Sequence, residues 1–367
     1  MNITILVSGL PPDCIGGAEL QAARAAQYLA RAHRVTVLTR TASVPNELRS
    51  VAACAVVQRS RVPIRGLRFA ADLVQTLGHL WRERRRTDVI LAYQTVIDGL
   101  IAVIARLLFG IPAMVSVRSG GEFLDRSLQV RVLTPFVLRH ADRIAVQSQR
   151  LADGLLVASV ERDGLAAKLC VLPNGIAPPP DLPPAGGDTV LFVGRLFKVK
   201  AVDTLIDAMR RCPHERLVIV GDGPERSALE QQARELQNVV FAGMLAPDVV
   251  GDYLRRAKVL VLPSIEEGQP NVVMEAMRHG VPVIATRVGG VPDLVKDGRT
   301  GFLVEPGDPD ALADRISALC ADASLRRAMA LAGLDEIRQY GWDVVVGQLE
   351  RELSLAARRP QVPQATS

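Results

Sequence analysis

The chain has 367 residues, 49% hydrophobic and 23% charged, a length and composition that favour two folded domains and exclude a low-complexity or disordered protein. The formal charge is +5, and the excess lies in the first half: residues 1–181 hold 22 Lys and Arg against 14 Asp and Glu, the remainder 22 against 25. A basic half suits an anionic surface or acceptor, but 4% aromatic content and no RNA or DNA motif argue against nucleic-acid binding.

The chain opens on Asn2-Ile3-Thr4-Ile5-Leu6-Val7, a strand pattern with no basic segment before it. No signal peptide is expected, no apolar run reaches the roughly 18 residues of a membrane span, and a cytoplasmic protein follows. Strands are predicted at 2–8, 34–39, 53–58, 88–92, 113–117, 143–147 and 169–172, as continuous Val/Ile/Leu runs of the kind buried in parallel sheets. Helical patterns at 18–32 and 96–109 fall between them. After the first strand, Gly16-Gly17-Ala18-Glu19 lets the backbone approach an anion where a helix starts, or forms a plain strand–helix turn.

From Arg59 to Arg86 seven arginines beginning at Arg61 interleave with Leu67, Phe69, Leu73, Val74, Leu77, Leu80 and Trp81. A helix over 65–84 fits either a peripheral membrane contact through 61–86, at the inner face, or an ordinary core-packing helix with a solvated basic end; the second is favoured. The fifth strand leads into Arg118-Ser119-Gly120-Gly121-Glu122, where Arg118 and Glu122 are acceptor-side candidates or a simple ion pair. Pro173-Asn174-Gly175 reads as a turn tolerating φ > 0.

Residues 177–187 carry five prolines and two glycines, so they continue neither helix nor strand and form a linker. Beyond it a second alternation predicts strands at 188–194, 216–221, 239–242, 258–262 and 282–286. Helices are predicted at 200–211, 224–236, 248–256, 270–279 and 308–321. Two doubly wound α/β domains facing each other across a cleft are expected: 1–176, then 188–335, with a helical segment 336–357 returning to the first domain and a disordered tail 358–367. The five cysteines are scattered without a CxxC pair, so neither disulfides nor zinc are expected.

The chemistry concentrates in this second half. Gly194-Arg195-Leu196-Phe197-Lys198-Val199-Lys200 sets Arg195 and Lys200 at a strand end and helix start, where a diphosphate finds a fork and a point charge; the plain alternative is two solvated cations. Gly221-Asp222-Gly223-Pro224 is a tight turn with Pro224 suited to a helix first turn. Glu267-Gly268-Gln269-Pro270-Asn271-Val272-Val273-Met274-Glu275 places one carboxylate before a helix start and another inside it. Free N–H groups there favour an anion. Glu275, among apolar neighbours, needs partners such as ribose hydroxyls, or a salt bridge. Val288-Gly289-Gly290 is read as a structural turn.

Taken together, from Met1 to about Leu355, these motifs resemble the retaining GT-B glycosyltransferases of the family 4 group, which use nucleotide-diphospho-sugars. The resemblance implies two Rossmann-like domains and front-face transfer to a glycan, lipid-linked or small-molecule acceptor, needing no metal and no cofactor. It implies that Arg195 and Lys200 neutralise the departing diphosphate and Glu267 contacts the donor sugar, these three forming the catalytic set. It further implies that Glu275 takes the ribose, that Gly17 and the N–H groups near Asn271 and Val272 meet the phosphates, and that the base rests on Ala242-Gly243-Met244-Leu245. Gly221, Gly268, Gln269 and Pro270 complete the donor site. The pattern departs from the family at Arg118, where a His is common, at Gln269, and at Ala201, which replaces a common Gly. A non-catalytic nucleotide-sugar-binding protein and a nucleotide-sugar epimerase are the alternatives; the five His are poorly placed for the second.

Overall fold

The computed structural model describes residues 1–11, 16–40, 46–49, 51–58, 68–118, 128–159, 162–180 and 187–358. Glu122, the whole 59–67 stretch ahead of the basic helix, linker residues 181–186 and tail residues 359–367 therefore lie outside the described residues. The chain divides into two compact units, residues 1–175 with the segment from Trp342 onward, and residues 176–341.

In the first unit the strands are β1 (Asn2–Leu6), β2 (Arg34–Thr39), β3 (Cys54–Gln58), β4 (Val89–Ala92), β5 (Ala113–Val117), β6 (Arg143–Val146) and β7 (Leu169–Val171). They form a sheet of order β3-β2-β1-β4-β5-β6-β7, with every described pairing parallel. Ile3 pairs with Val35 on one side and with Val89 on the other, so the strand order reverses at β1. All residues of β4 and β5 are buried, as their unbroken apolar sequence requires of strands covered on both faces. The basic helix spans Arg68–Glu83; Leu80 is buried, Leu73 and Leu77 pack on the core, and Val74 and Trp81 stay 68% and 52% exposed.

Helix Trp342–Ala357 belongs to this same unit. It buries Trp342, Val345, Val346, Leu349, Leu353 and Ala356, a stripe at helical spacing. Trp342 stacks on Tyr28 with ring centres 5.3 Å apart. Arg143 forks onto Glu352, and His33 meets Glu350 at 3.0 Å.

The second unit holds β8 (Thr189–Val193), β9 (Arg216–Val220), β10 (Val239–Gly243), β11 (Ala257–Leu262), β12 (Val283–Thr286) and β13 (Gly301–Val304). Their order is β10-β9-β8-β11-β12-β13, again parallel. Strand β13 was not expected: Gly301-Phe302-Leu303-Val304 is too short to show a period and follows a turn. Helix Val202–Met209 turns Val202, Leu205, Ile206 and Met209 onto the sheet, against Phe192 and Ile219 among others. Each such side chain contributes about 1.5–3 kcal/mol by leaving water. Here the order reverses between β8 and β11, and sheets of this kind offer a crevice at the carboxyl ends of strands where the order reverses. The loops after β8 and β11 are the ones that carry Arg195, Lys200 and Glu267.

Candidate donor-binding site

After β8 the chain passes through Gly194 and the exposed Arg195, whose guanidinium lies 5.1 Å from the Phe197 ring centre. The neighbouring turn after β9 fits tightly against it. Gly221 has φ +140°, and a Cβ there would meet the Gly194 carbonyl at 1.8 Å, so only glycine serves. The Leu196 N–H donates to the Asp222 carbonyl at 2.9 Å, and the Glu225 N–H to the Leu196 carbonyl at 3.1 Å. Gly221 thus acts through backbone packing that shapes the Arg195 loop. Pro224 lies ahead of the helix rather than in its first turn, since that helix begins at Arg226.

Lys198–Lys200 forms a short 3₁₀ turn that ends on Ala201 at φ 46°, ψ 44°. Ala201 is the only non-glycine with positive φ among the described residues, which explains why glycine is common at this place. The turn aims Lys200 at the loop after β11. Its Nζ donates to Glu267 Oε1 at 2.6 Å, and Ser264 Oγ donates to the same oxygen at 2.6 Å. A backbone bond from the Ile265 N–H to the Val199 carbonyl, 2.9 Å, ties the two loops together. The Glu267 side chain is 8% exposed and that of Lys200 23%. Two donors thus compensate the burial of this carboxylate. Glu266, beside it, has its carboxyl raised by burial and by the Glu267 charge.

The Glu267–Gly268 segment is held from below. Gly289, φ +49°, brings its backbone so close to the Glu267 carbonyl that a Cβ would stand 1.6 Å away. The Gly290 N–H donates to the Gly268 carbonyl at 2.7 Å. The Gly289-Gly290 turn, read from sequence as structural, thereby fixes the loop that carries Glu267.

Gln269 and Pro270 are buried, and the helix spans Asn271–Arg278 with Pro270 at its N-cap and no side-chain cap. An uncapped start presents backbone donors and the positive end of the helix dipole. Val273, Met274, Ala276 and Met277 face the core. Glu275 lies on the other side, half-buried, with no hydrogen bond or ion pair among the described residues. Burial pushes its carboxyl up to about 7, with Arg278 pulling the other way. Met244, after β10, is 68% exposed, and Leu245 packs on the core.

The first unit is organised differently. Gly16 caps helix Gly17–Leu29 in an extended conformation, and Gly17 is exposed at the first helical position. Glu19 folds back over Gly16, so that a Cβ on Gly16 would meet its Oε2 at 2.1 Å, and accepts from Gln94 at 3.3 Å. Arg118, read from sequence as an acceptor-side candidate or one half of an ion pair with Glu122, makes its described contacts within this unit. Its Nη1 donates to Ser116 Oγ at 3.3 Å, its Nη2 to Asn174 Oδ1 at 2.5 Å, and its plane lies 5.0 Å from the Tyr93 ring centre. Burial lowers its pKa, with Tyr93 and Glu19 opposing. Gln147 also donates to Asn174 Oδ1, at 2.8 Å. Gln21 bonds both the N–H and the carbonyl of Gly175, each at 2.9 Å. A cavity of about 30 Å³ between Gln21, Tyr93, Ser116, Arg118 and Trp342 has room for water beside the Arg118 Nε, which has no hydrogen-bond partner among the described residues. Gly175 does not adopt the positive φ expected of it; it is glycine because a Cβ would stand 2.4 Å from the Trp342 ring. Gln21, Gln147 and Trp342 gave no sequence signal, since their partners are distant in the chain.

Among the described residues no group of three or more His, Cys, Asp or Glu side chains is arranged to hold a metal, and no helix is long and apolar enough to cross a membrane.

Two parallel-sheet α/β units in one chain define the GT-B class of fold. Solved structures agree: sucrose-phosphate synthase from Thermosynechococcus elongatus has a TM-score of 0.81 at 24% identity, over 97% of this chain and 99% of that one. HepE from Anabaena, in complex with UDP-glucose, has 0.80 at 22%, over 96% and 99%. In sequence, residues 16–175 match the family described as glycosyl transferase 4-like domain, and residues 187–322 the one described as glycosyl transferases group 1. The sulfoquinovosyl transferase SQD2 of Arabidopsis thaliana is 33% identical over 171 residues, which span 46% of this chain and 33% of that protein's length. The chain belongs to the GT-B glycosyltransferases of the family 4 group.

Proposed function

We propose that the protein transfers a sugar from a nucleoside-diphosphate sugar to a hydroxyl of a glycan, lipid-linked or small-molecule acceptor, with retention and without a metal ion. The observation that carries this reading is the Lys200–Glu267 pair, tied to Ser264 and set beside the uncapped start of helix Asn271–Arg278. The diphosphate lies at that helix start, where the N–H groups near Asn271 and Val272 and the cations of Arg195 and Lys200 face it. Glu267 accepts from donor-sugar hydroxyls, and Glu275 accepts from the ribose, a role that fits a carboxylate with no hydrogen bond among the described residues. The base rests on Gly243, Met244 and Leu245. UDP-glucose in the HepE structure favours uridine as the first base to test.

In the chemical step the C1–O bond to the diphosphate breaks and the acceptor oxygen bonds C1 from the same face. The acceptor proton passes to the departing phosphate oxygen. Negative charge grows on the diphosphate as the bond lengthens, and Arg195, Lys200 and the helix dipole, fixed before the reaction, stabilise it. Protein cations then do the electrostatic work that a divalent ion does elsewhere.

The acceptor class is open to a lipid-linked sugar reached by a cytoplasmic protein at the inner membrane face. Exposed Val74 and Trp81 beside exposed Arg82, Arg85 and Arg86 suit a peripheral contact with anionic lipid. Calorimetric titration with UDP and UDP-glucose, followed by UDP release measured with and without EDTA, tests the reading. Saturable binding and EDTA-resistant release support it. No binding of any nucleoside diphosphate, or release abolished by EDTA, contradicts it.

A further inference from the structure

Arg226 opens helix Arg226–Gln232 next to the end of β10, and no role in transfer requires it. Its surroundings are unusual for a surface arginine. The Nε donates to Glu230 Oε1 at 2.8 Å and the Nη1 to Asp222 Oδ2 at 3.1 Å. Asp222 is itself anchored, since its other oxygen accepts from the Gly223 N–H at 2.7 Å. Two carboxylates thus grip one flank of the guanidinium, and the Nη2 protons have no partner among the described residues.

The guanidinium lies by the segment after β10. Gly243 has φ +75°, and the one atom within 4 Å of a Cβ placed there is Arg226 Nη1, at 3.5 Å. One guanidinium nitrogen therefore approaches a glycine whose carbonyl is pinned by the Gly221 N–H at 2.8 Å. The next residue, Met244, presents an exposed apolar side chain. Stability does not account for the cluster: all three charged side chains are a third or more exposed, and ion pairs of that kind contribute little. Holding a planar donor fork still before a ligand arrives does account for it, because less side-chain freedom is lost on binding.

We infer that Arg226 is a specificity-determining residue that donates to a carbonyl oxygen of the nucleobase resting on Gly243 and Met244. The inference rests on the donor reading above and deepens it by naming the class of base. Uracil, thymine and guanine each present a carbonyl oxygen to such a donor. Adenine has no exocyclic carbonyl: it carries an amino group there and keeps its acceptors on ring nitrogens, so a donor placed for a carbonyl oxygen meets a donor, and a site built to make that hydrogen bond disfavours a base that cannot complete it. The protein thus takes a donor with an oxo-base and discriminates against ADP-sugars.

The test is calorimetric titration of the full chain with UDP, GDP and ADP, repeated with Arg226→Gln and Arg226→Lys. Thermal melts confirm that these exposed substitutions leave the fold intact. The wild type is expected to bind UDP or GDP at least about tenfold tighter than ADP, the scale of one charge-assisted hydrogen bond. Both variants should lose that preference, by weakening the oxo-base nucleotides while leaving ADP unchanged. Equal weakening of all three, or an intact preference, overturns the role of Arg226. The donor reading has its own readout: tight UDP or GDP binding that falls in Glu275→Ala upholds it even when Arg226 proves indifferent. Absence of binding by all three in the wild type removes both.

Discussion

The strand ends of the two units use the same kinds of residue in opposite ways. In the second unit, Lys200, Glu267 and Ser264 hold one another beside a helix start whose N-cap residue, Pro270, supplies no side-chain cap, and the Glu275 carboxylate has no hydrogen bond or ion pair among the described residues. In the first unit, Arg118, Asn174, Gln147, Gln21 and Gly175 spend their hydrogen bonds on each other in the interior. One edge keeps polar groups available to a ligand; the other locks them into a scaffold. An arginine after a parallel strand is thus no sign of ligand contact until its donors are accounted for: Arg195 is exposed after β8, Arg118 is enclosed after β5.

That contrast is breakable. The largest expected effect is on Lys200→Ala, which removes a fixed cation from the departing diphosphate. Turnover measured as UDP release should fall about a hundred- to a thousandfold, with a smaller change in UDP affinity. An equal loss in both would make Lys200 a plain binding residue.

Next comes stability. Arg118→Ala leaves Asn174 and Ser116 short of donors in the interior, and should destabilise by about 2–3 kcal/mol in urea unfolding. Arg195→Ala, at an exposed position, should change stability by no more than about 0.5 kcal/mol. Equal effects of the two would erase the distinction between the edges.

The third prediction concerns pH. The Glu275 carboxyl is raised from 4.5 to about 7, so between those values the folded protein holds a proton that the unfolded chain releases. Its contribution therefore lowers stability as pH rises through that window, and Glu275→Gln should flatten the trend. A ribose hydroxyl donating to the carboxylate favours the charged form, so nucleotide affinity should rise from pH 6 to pH 8 and lose that rise in Glu275→Gln. A pH-independent affinity in the wild type contradicts the ribose role.

The smallest expected effect is at Ala201. Replacement by glycine relieves a left-handed backbone and should stabilise the protein by about 0.5–1 kcal/mol, read from urea midpoints.

Much of the architecture was legible because buried parallel strands announce themselves as unbroken Val/Ile/Leu runs. Strand β13 was not, being four residues long. The helix start after Pro270 and the loop positions of Arg195, Lys200 and Glu267 were legible because Gly and Pro punctuate the chain there. The Lys200–Glu267 bond was not, since 67 residues separate its partners. Gly175 was read for its backbone freedom, yet its role is the space it leaves for Trp342. The contacts of Arg118 were not legible for a related reason: its partners Ser116, Asn174 and Tyr93 come from three separate strand regions, and sequence does not show which way a side chain turns.

The most direct measurement is a crystal structure of the protein with UDP bound. The account predicts phosphate oxygens within hydrogen-bond distance of Lys200 Nζ and the backbone at Asn271 and Val272, with ribose hydroxyls on Glu275. Phosphates bound elsewhere, with the Lys200–Glu267 pair and the start of helix Asn271–Arg278 left unengaged, would contradict it.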